Sequence, residues 1–134
     1  MKNRNQFNIS GDRSERVQGR IWLNREGQTF LGWGRVVLLE RIRDLGSLSA
    51  AARSMGMSYR QAWELVDKMN SLAPTPLVMK QVGGKSGGGA TVTKEGNRAI
   101  MEFWKTVGRF QDWLDLETRK SGLYGNKNGK RKSG

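Results

Sequence analysis

The sequence predicts a mainly α-helical chain carrying two small β-hairpins, and three observations predict it. Residues 47–70, SLSAAARSMGMSYRQAWELVDKMN, read as two short helices joined by a turn. Beyond them a glycine cluster, GGKSGGG at 83–89, separates two short runs of strand-like composition. Ile100, Phe103, Val107, Phe110 and Leu114 then recur at spacings of 3, 4, 3 and 4, the apolar seam of a long helix. At 134 residues the chain is the size of one domain with a modest core.

The elements follow in order. Residues 1–19 read as a flexible basic arm. Residues 20–24 and 29–31 flank Arg25-Glu26-Gly27-Gln28, a hairpin with its turn at Glu26-Gly27, where glycine takes a positive φ at no steric cost. Residues 33–45 form helix one, with Leu38, Ile42 and Leu45 as its inner stripe, broadened by Val37; Arg35, Glu40, Arg41 and Arg43 face water. Gly46 stops it, and Ser47 caps helix two, 48–55, whose Ala50-Ala51-Ala52 run is small enough for close helix contact. Gly56 stands where a left-handed residue ends that helix. Ser58 and Gln61 make an S-x-x-Q capping box for helix three, with Ala62, Leu65, Val66 and Met69 inward. Pro74 and Pro76 end the helical region. Residues 77–82 and 90–93 are strands around the glycine tip. Thr93 then caps a last helix running to about Thr118, and residues 119–134 read as a disordered basic tail.

Composition removes many functions. The chain has no Cys, so it has no disulfide, thiolate zinc site or cysteine nucleophile, and no His, the commonest general base and metal ligand. No metal site, cofactor or enzymatic activity is expected. No run reaches the roughly 18 apolar residues of a membrane span, and MKNRNQFNIS has no apolar core for a secretory signal. A cytoplasmic, membrane-free protein is expected. Gly84-Lys85-Ser86 ends like a phosphate-binding loop, but Met79 stands where the first glycine belongs and glycines follow where a helix must start. Gly32-Trp33-Gly34 begins like a dinucleotide fingerprint, but Val37 occupies the third glycine position. Glu40, Asp44, Glu64 and Asp67 sit within four residues of Arg43, Arg41 and Lys68, as solvated helix faces do.

The net charge is +12, with +3 in residues 1–20, +6 in 119–134 and only +3 in 21–118. The polar ends suit phosphate backbones through counterion release, or serve solubility alone. A specific nucleic-acid interface must therefore rest on placement rather than bulk charge. Two helices across a turn followed by a glycine-tipped hairpin make a winged helix-turn-helix, which lays the start of its second helix in the major groove. Arg60 there suits a guanine edge, and Gln61 an adenine edge unless the capping box uses its side chain. Ser58 and the helix N-terminus suit a phosphate. Tyr59 suits a phosphate or a thymine methyl, and Glu64 a cytosine. Ser47, Ser49, Arg53 and Lys68 complete the helix contacts, and Lys80, Lys85 and Ser86 those of the wing. Trp63 is assigned to packing beside the wing rather than to base stacking. The seam of the last helix, with Trp104 and Trp113 widening it, is larger than a small core needs, so Ile100, Phe103, Trp104, Val107, Phe110, Trp113 and Leu114 are expected at a homodimer interface.

The segments FLGWGR (30–35), LGSLSAAAR (45–53), MSYRQAW (57–63), MN (69–70), PLV (76–78) and the glycine cluster followed by Thr93 and Gly96 carry a resemblance. Over about residues 20–115 the chain resembles the N-terminal DNA-binding domain of the ModE family of molybdate-responsive transcriptional regulators, with its LysR-type winged helix-turn-helix. The resemblance implies a homodimer built around helix one and the last helix, an operator with two half-sites on double-stranded DNA, and DNA contacts at Ser58, Tyr59, Arg60, Gln61 and the wing. It departs from full-length members after Leu116, where no counterpart of the molybdate-binding domains follows. Molybdate is not expected to bind this chain. The expected function is sequence-specific regulation, as a repressor, of molybdate transport or molybdenum-related genes. The alternatives are a non-specific architectural binder driven by the tails, and a DNA-binding subunit of a separate effector-binding protein.

Overall fold

A computed structural model describes residues 15–81 and 89–121. The expected contacts at Lys85 and Ser86 lie outside the described residues, as do 1–14 of the expected arm and 122–134 of the expected tail. Among the described residues, four helices and two antiparallel hairpins follow the order β1 (Leu23–Arg25), β2 (Gln28–Leu31), α1 (Trp33–Leu45), α2 (Leu48–Ser54), α3 (Tyr59–Leu72), β3 (Val78–Lys80), β4 (Ala90–Val92) and α4 (Lys94–Ser121). The chain divides into two units, Ile21–Lys105 and Met1–Arg20 with Thr106–Gly134, so α4 contributes to both.

In the unit of 21–105, the first hairpin turns at Glu26 and Gly27, with φ of 53° and 74°. Two consecutive positive φ values twist a two-residue turn to match its strands, and Arg25 pairs with Gln28 across it. Phe30 and Leu31 enter the core. Helix α1 ends on Gly46, left-handed at φ 67°, whose N–H reaches the Ile42 carbonyl at 2.8 Å. Its buried face is Val36, Leu38, Leu39 and Ile42. Two expectations fail here. Leu45 is half exposed rather than part of the inner stripe; it is the last residue of α1, next to the left-handed Gly46 where the chain turns away. Glu40 does not face water but is 4% exposed, its Oε2 accepting the Trp104 indole N–H at 2.9 Å. The charge pairings also differ from the sequence spacing: Arg43 bonds Asp44, Arg41 donates to the Ser54 carbonyl and hydroxyl, and Glu64 holds Arg60.

Helix α2 is short. Ser47 Oγ accepts the Ala50 N–H at 3.1 Å, and the chain leaves through Gly56 at φ 69°. Ala51 and Ala52 are fully buried, which lets α2 pack against both α1 and α3. Helix α3 opens on the expected capping box: Ser58 Oγ accepts Gln61 N–H at 3.0 Å, and Gln61 Oε1 accepts Ser58 N–H at 2.9 Å. Ala62, Val66, Met69 and Leu72 form its buried face.

Asn70 joins α3 to the second hairpin. Its Oδ1 accepts from the Leu77 and Val78 N–H groups at 2.8 and 3.2 Å, and its Nδ2 donates to the Val78 carbonyl at 3.0 Å. These bonds replace the ladder that the turn through Pro74 and Pro76 cannot supply. Asn70→Ala strands buried backbone donors, and its urea midpoint is expected to fall by an amount equivalent to about 1–3 kcal/mol. Val78 pairs with Val92 and Lys80 with Ala90. The strand region is wider than a hairpin: Ser47 bridges Gly89, and Ala90 N–H reaches the Gly46 carbonyl at 3.3 Å.

In the other unit, residues 16–19 are held along the second half of α4. Val17 N–H donates to Thr118 Oγ1 at 2.9 Å, Arg16 lies 3.9 Å from Asp115, and Gly19 approaches the Phe110 ring. The expected arm therefore gives up its last residues to packing. Helix α4 runs to Ser121, past the expected end near Thr118.

Candidate nucleic-acid interface

The candidate residues gather where α2, α3 and the second hairpin converge. Ser47 ties two of them together, capping α2 with its hydroxyl and bridging Gly89 with its backbone. That hydroxyl also shares a 3.2 Å hydrogen bond with Ser49. Both serines are half-buried and act first as local structure. Arg53, near the end of α2, is exposed.

The start of α3 is the exposed part. Ser58, Tyr59, Arg60, Gln61 and Glu64 all stand in solvent. Arg60 reaches out furthest, its side chain 87% exposed, and pairs with Glu64 at 3.2 Å one turn on. The two open alternatives at Gln61 resolve toward the cap. With Oε1 accepting the Ser58 N–H, a bidentate adenine contact at Gln61 has to share that oxygen with the cap or open it. Ser58 likewise spends its hydroxyl on the cap while staying exposed.

Two cations beside α3 have partners the sequence did not foretell. Lys68 donates to Gln28 Oε1 at 2.6 Å, so the first hairpin docks on the later turns of α3. Lys80, on β3, places its ammonium 4.5 Å from the centre of the Trp63 ring. Trp63 is half-buried, in keeping with packing beside the second hairpin. No sequence signal could have found Gln28, whose partner lies 40 positions on. The hydrogen-bonding side chain of Asn70 four residues before Pro74 was a usable but unread sign.

The α4 seam divides. Ile100, Phe103, Val107 and Leu114 are buried inside the one chain. Trp104 is half-buried, edge-on to Trp33 at 4.8 Å and bonded to Glu40. Phe110 is half-buried and stacks on Trp113 at 6.1 Å, and Trp113 is 53% exposed. Of the seven expected interface residues, Trp113 is the most exposed. Among the described residues, no helix is long and apolar enough to cross a membrane, and no group of His, Cys, Asp or Glu is placed to hold a metal ion.

No family model matches the chain. It is 38% identical over 100 residues to the molybdenum transport protein ModE of Azotobacter vinelandii, covering 75% of this chain and 37% of that protein. It is 43% identical over 114 residues to the molybdenum-pterin-binding protein MopB of Rhodobacter capsulatus, covering 80% and 42%. It is 44% identical over 83 residues to the DNA-binding transcriptional dual regulator ModE of Escherichia coli K12, covering 62% and 32%. The chain spans less than half the length of these relatives. Over the shared stretch, it is a homologue of the proteins named ModE and MopB.

Proposed function

We propose that this chain is a DNA-binding transcriptional regulator of the ModE type, acting on molybdenum-related genes as a homodimer on two half-sites. The observation that carries the reading is the exposed, capped start of α3 beside the second hairpin, with α2 braced behind it. That is the arrangement a winged helix-turn-helix needs to lay one helix end in a major groove while the hairpin meets the flanking backbone. The similarity to a molybdenum transport protein and to a DNA-binding transcriptional dual regulator, both ModE proteins, supports the molybdenum connection and DNA binding.

The folded region's charge excess is small, so steering rests on the ends and specificity on few side chains. Selection of bound duplexes from a random pool, followed by footprinting on genomic DNA, tests the reading. A palindromic site near molybdenum-related genes is the expected result, with transcription from that promoter falling when the protein is present. Binding of all duplexes alike, lost on removal of residues 119–134, would instead establish the architectural reading.

A further inference from the structure

We propose that Trp63 is a positioning residue, whose indole face holds the Lys80 ammonium beside α3 as a fixed contact for the DNA phosphate backbone. The inference rests on the DNA-binding reading above and adds a division of labour within it. Lys80 sits on β3, and its neighbour across the hairpin is Ala90, so its backbone is pinned in the last strand pair before the glycine cluster. Its ammonium lies 4.5 Å from the Trp63 ring centre, within cation–π range. Trp63 stands four residues after Tyr59 and three after Arg60, on the same side of α3 as the exposed helix start. The ring thus places a charge alongside the turn proposed to enter the groove.

The charge is also available. Arg60 is matched by Glu64 at 3.2 Å, and Lys68 is engaged by the Gln28 amide. Lys80 faces a ring instead, and makes no ion pair with a carboxylate among the described residues. An ammonium against an aromatic face keeps N–H donors directed away from the ring, and a lysine already held loses less side-chain freedom on meeting a phosphate. Trp63 therefore contributes to affinity through Lys80, without touching a base.

The test uses the full chain and a labelled duplex recovered by the selection above. Binding is followed by fluorescence anisotropy across a salt series for wild type, Lys80→Met, Trp63→Leu, Trp63→Phe and the Lys80→Met/Trp63→Leu double variant. Lys80→Met is expected to make the salt slope shallower by about 0.9, the share of one phosphate. It is expected to weaken binding about fivefold on the wild-type background and less than about twofold on Trp63→Leu, the non-additivity of touching side chains. Trp63→Phe retains an aromatic face and is expected to bind close to wild type. In the free protein, NMR is expected to show the Lys80 ε-methylene protons shifted upfield by the ring, a shift lost in Trp63→Leu. An unchanged salt slope in Lys80→Met overturns the phosphate contact. Full additivity in the double variant, or the absence of the ring shift, overturns the positioning role. If wild type binds no duplex, the DNA reading itself fails and the phosphate role with it, whatever the NMR shows.

Discussion

Replacing Gly96 with alanine is expected to destabilise the unit of 21–105 by about 3 kcal/mol, the upper end of what forced overpacking costs. Gly96 lies in the first turn of α4, where that turn presses on the segment leading into β3. A Cβ there would run into the Leu77 carbonyl oxygen and lie 2.6 Å from Val92 Cγ1. The backbone at Leu77 has nowhere to go. Its carbonyl accepts the Thr93 N–H at 2.9 Å and the Thr93 hydroxyl at 3.2 Å, while its N–H is held by Asn70 at 2.8 Å. Moving it would break the α4 cap and the Asn70 bracket together. The melting temperature followed by circular dichroism is expected to fall by about 12 °C or more, from the size scaling of small domains. Gly108, on the same helix, is the control: an added Cβ meets nothing within 4 Å. Gly108→Ala is expected to hold or gain stability, by up to about 1 kcal/mol, since alanine is the better helix former. Equal melting of Gly96→Ala and wild type would mean that α4 does not start this close to Leu77.

Local chemistry was the legible part of the fold. The Glu26-Gly27 turn, the left-handed Gly46 and Gly56, and the Ser58–Gln61 capping box are each decided by residues within a few positions of one another, and each stands where the sequence placed it. What escaped is what depends on distant partners. A periodicity argument assigns α1 one stripe, yet α2 and β4 both pack on α1, so Val36 and Leu39 join the core while Leu45 does not. Glu40 reads as a surface acid until the Trp104 indole is known to reach it from 64 positions away. The candidate interface shows the same division. Exposure of Tyr59, Arg60 and Glu64 was readable from the helix pattern. The grip of Gln28 on Lys68 and the seat of Lys80 on Trp63 join residues far apart in the chain, and residue type alone does not say which of a side chain's possible partners it meets.

Arg60→Ala is expected to relax base preference at one position of the selected site, at a cost of about 1–3 kcal/mol on that site. This prediction rests on the proposed DNA-binding function. The geometry favours Arg60 over its neighbours as the base reader. Among the described residues its guanidinium is held by Glu64, itself 65% exposed, and an exposed pair one helical turn apart contributes a few tenths of a kcal/mol, roughly 0.3–0.5. A guanine edge can therefore take the fork at little cost. Gln61 differs, since its Oε1 closes the capping box. Gln61→Ala is expected to lower stability while leaving base preference intact. Arg60→Lys separates charge from shape: the lysine keeps the positive charge but lacks the planar fork for O6 and N7. Its salt slope is expected to match wild type while its base preference falls toward that of Arg60→Ala. Competition binding against duplexes changed one base pair at a time measures all three variants. A uniform loss across every duplex would show that Arg60 meets a phosphate, and the reading of bases would then fall to Tyr59 or to the hairpin.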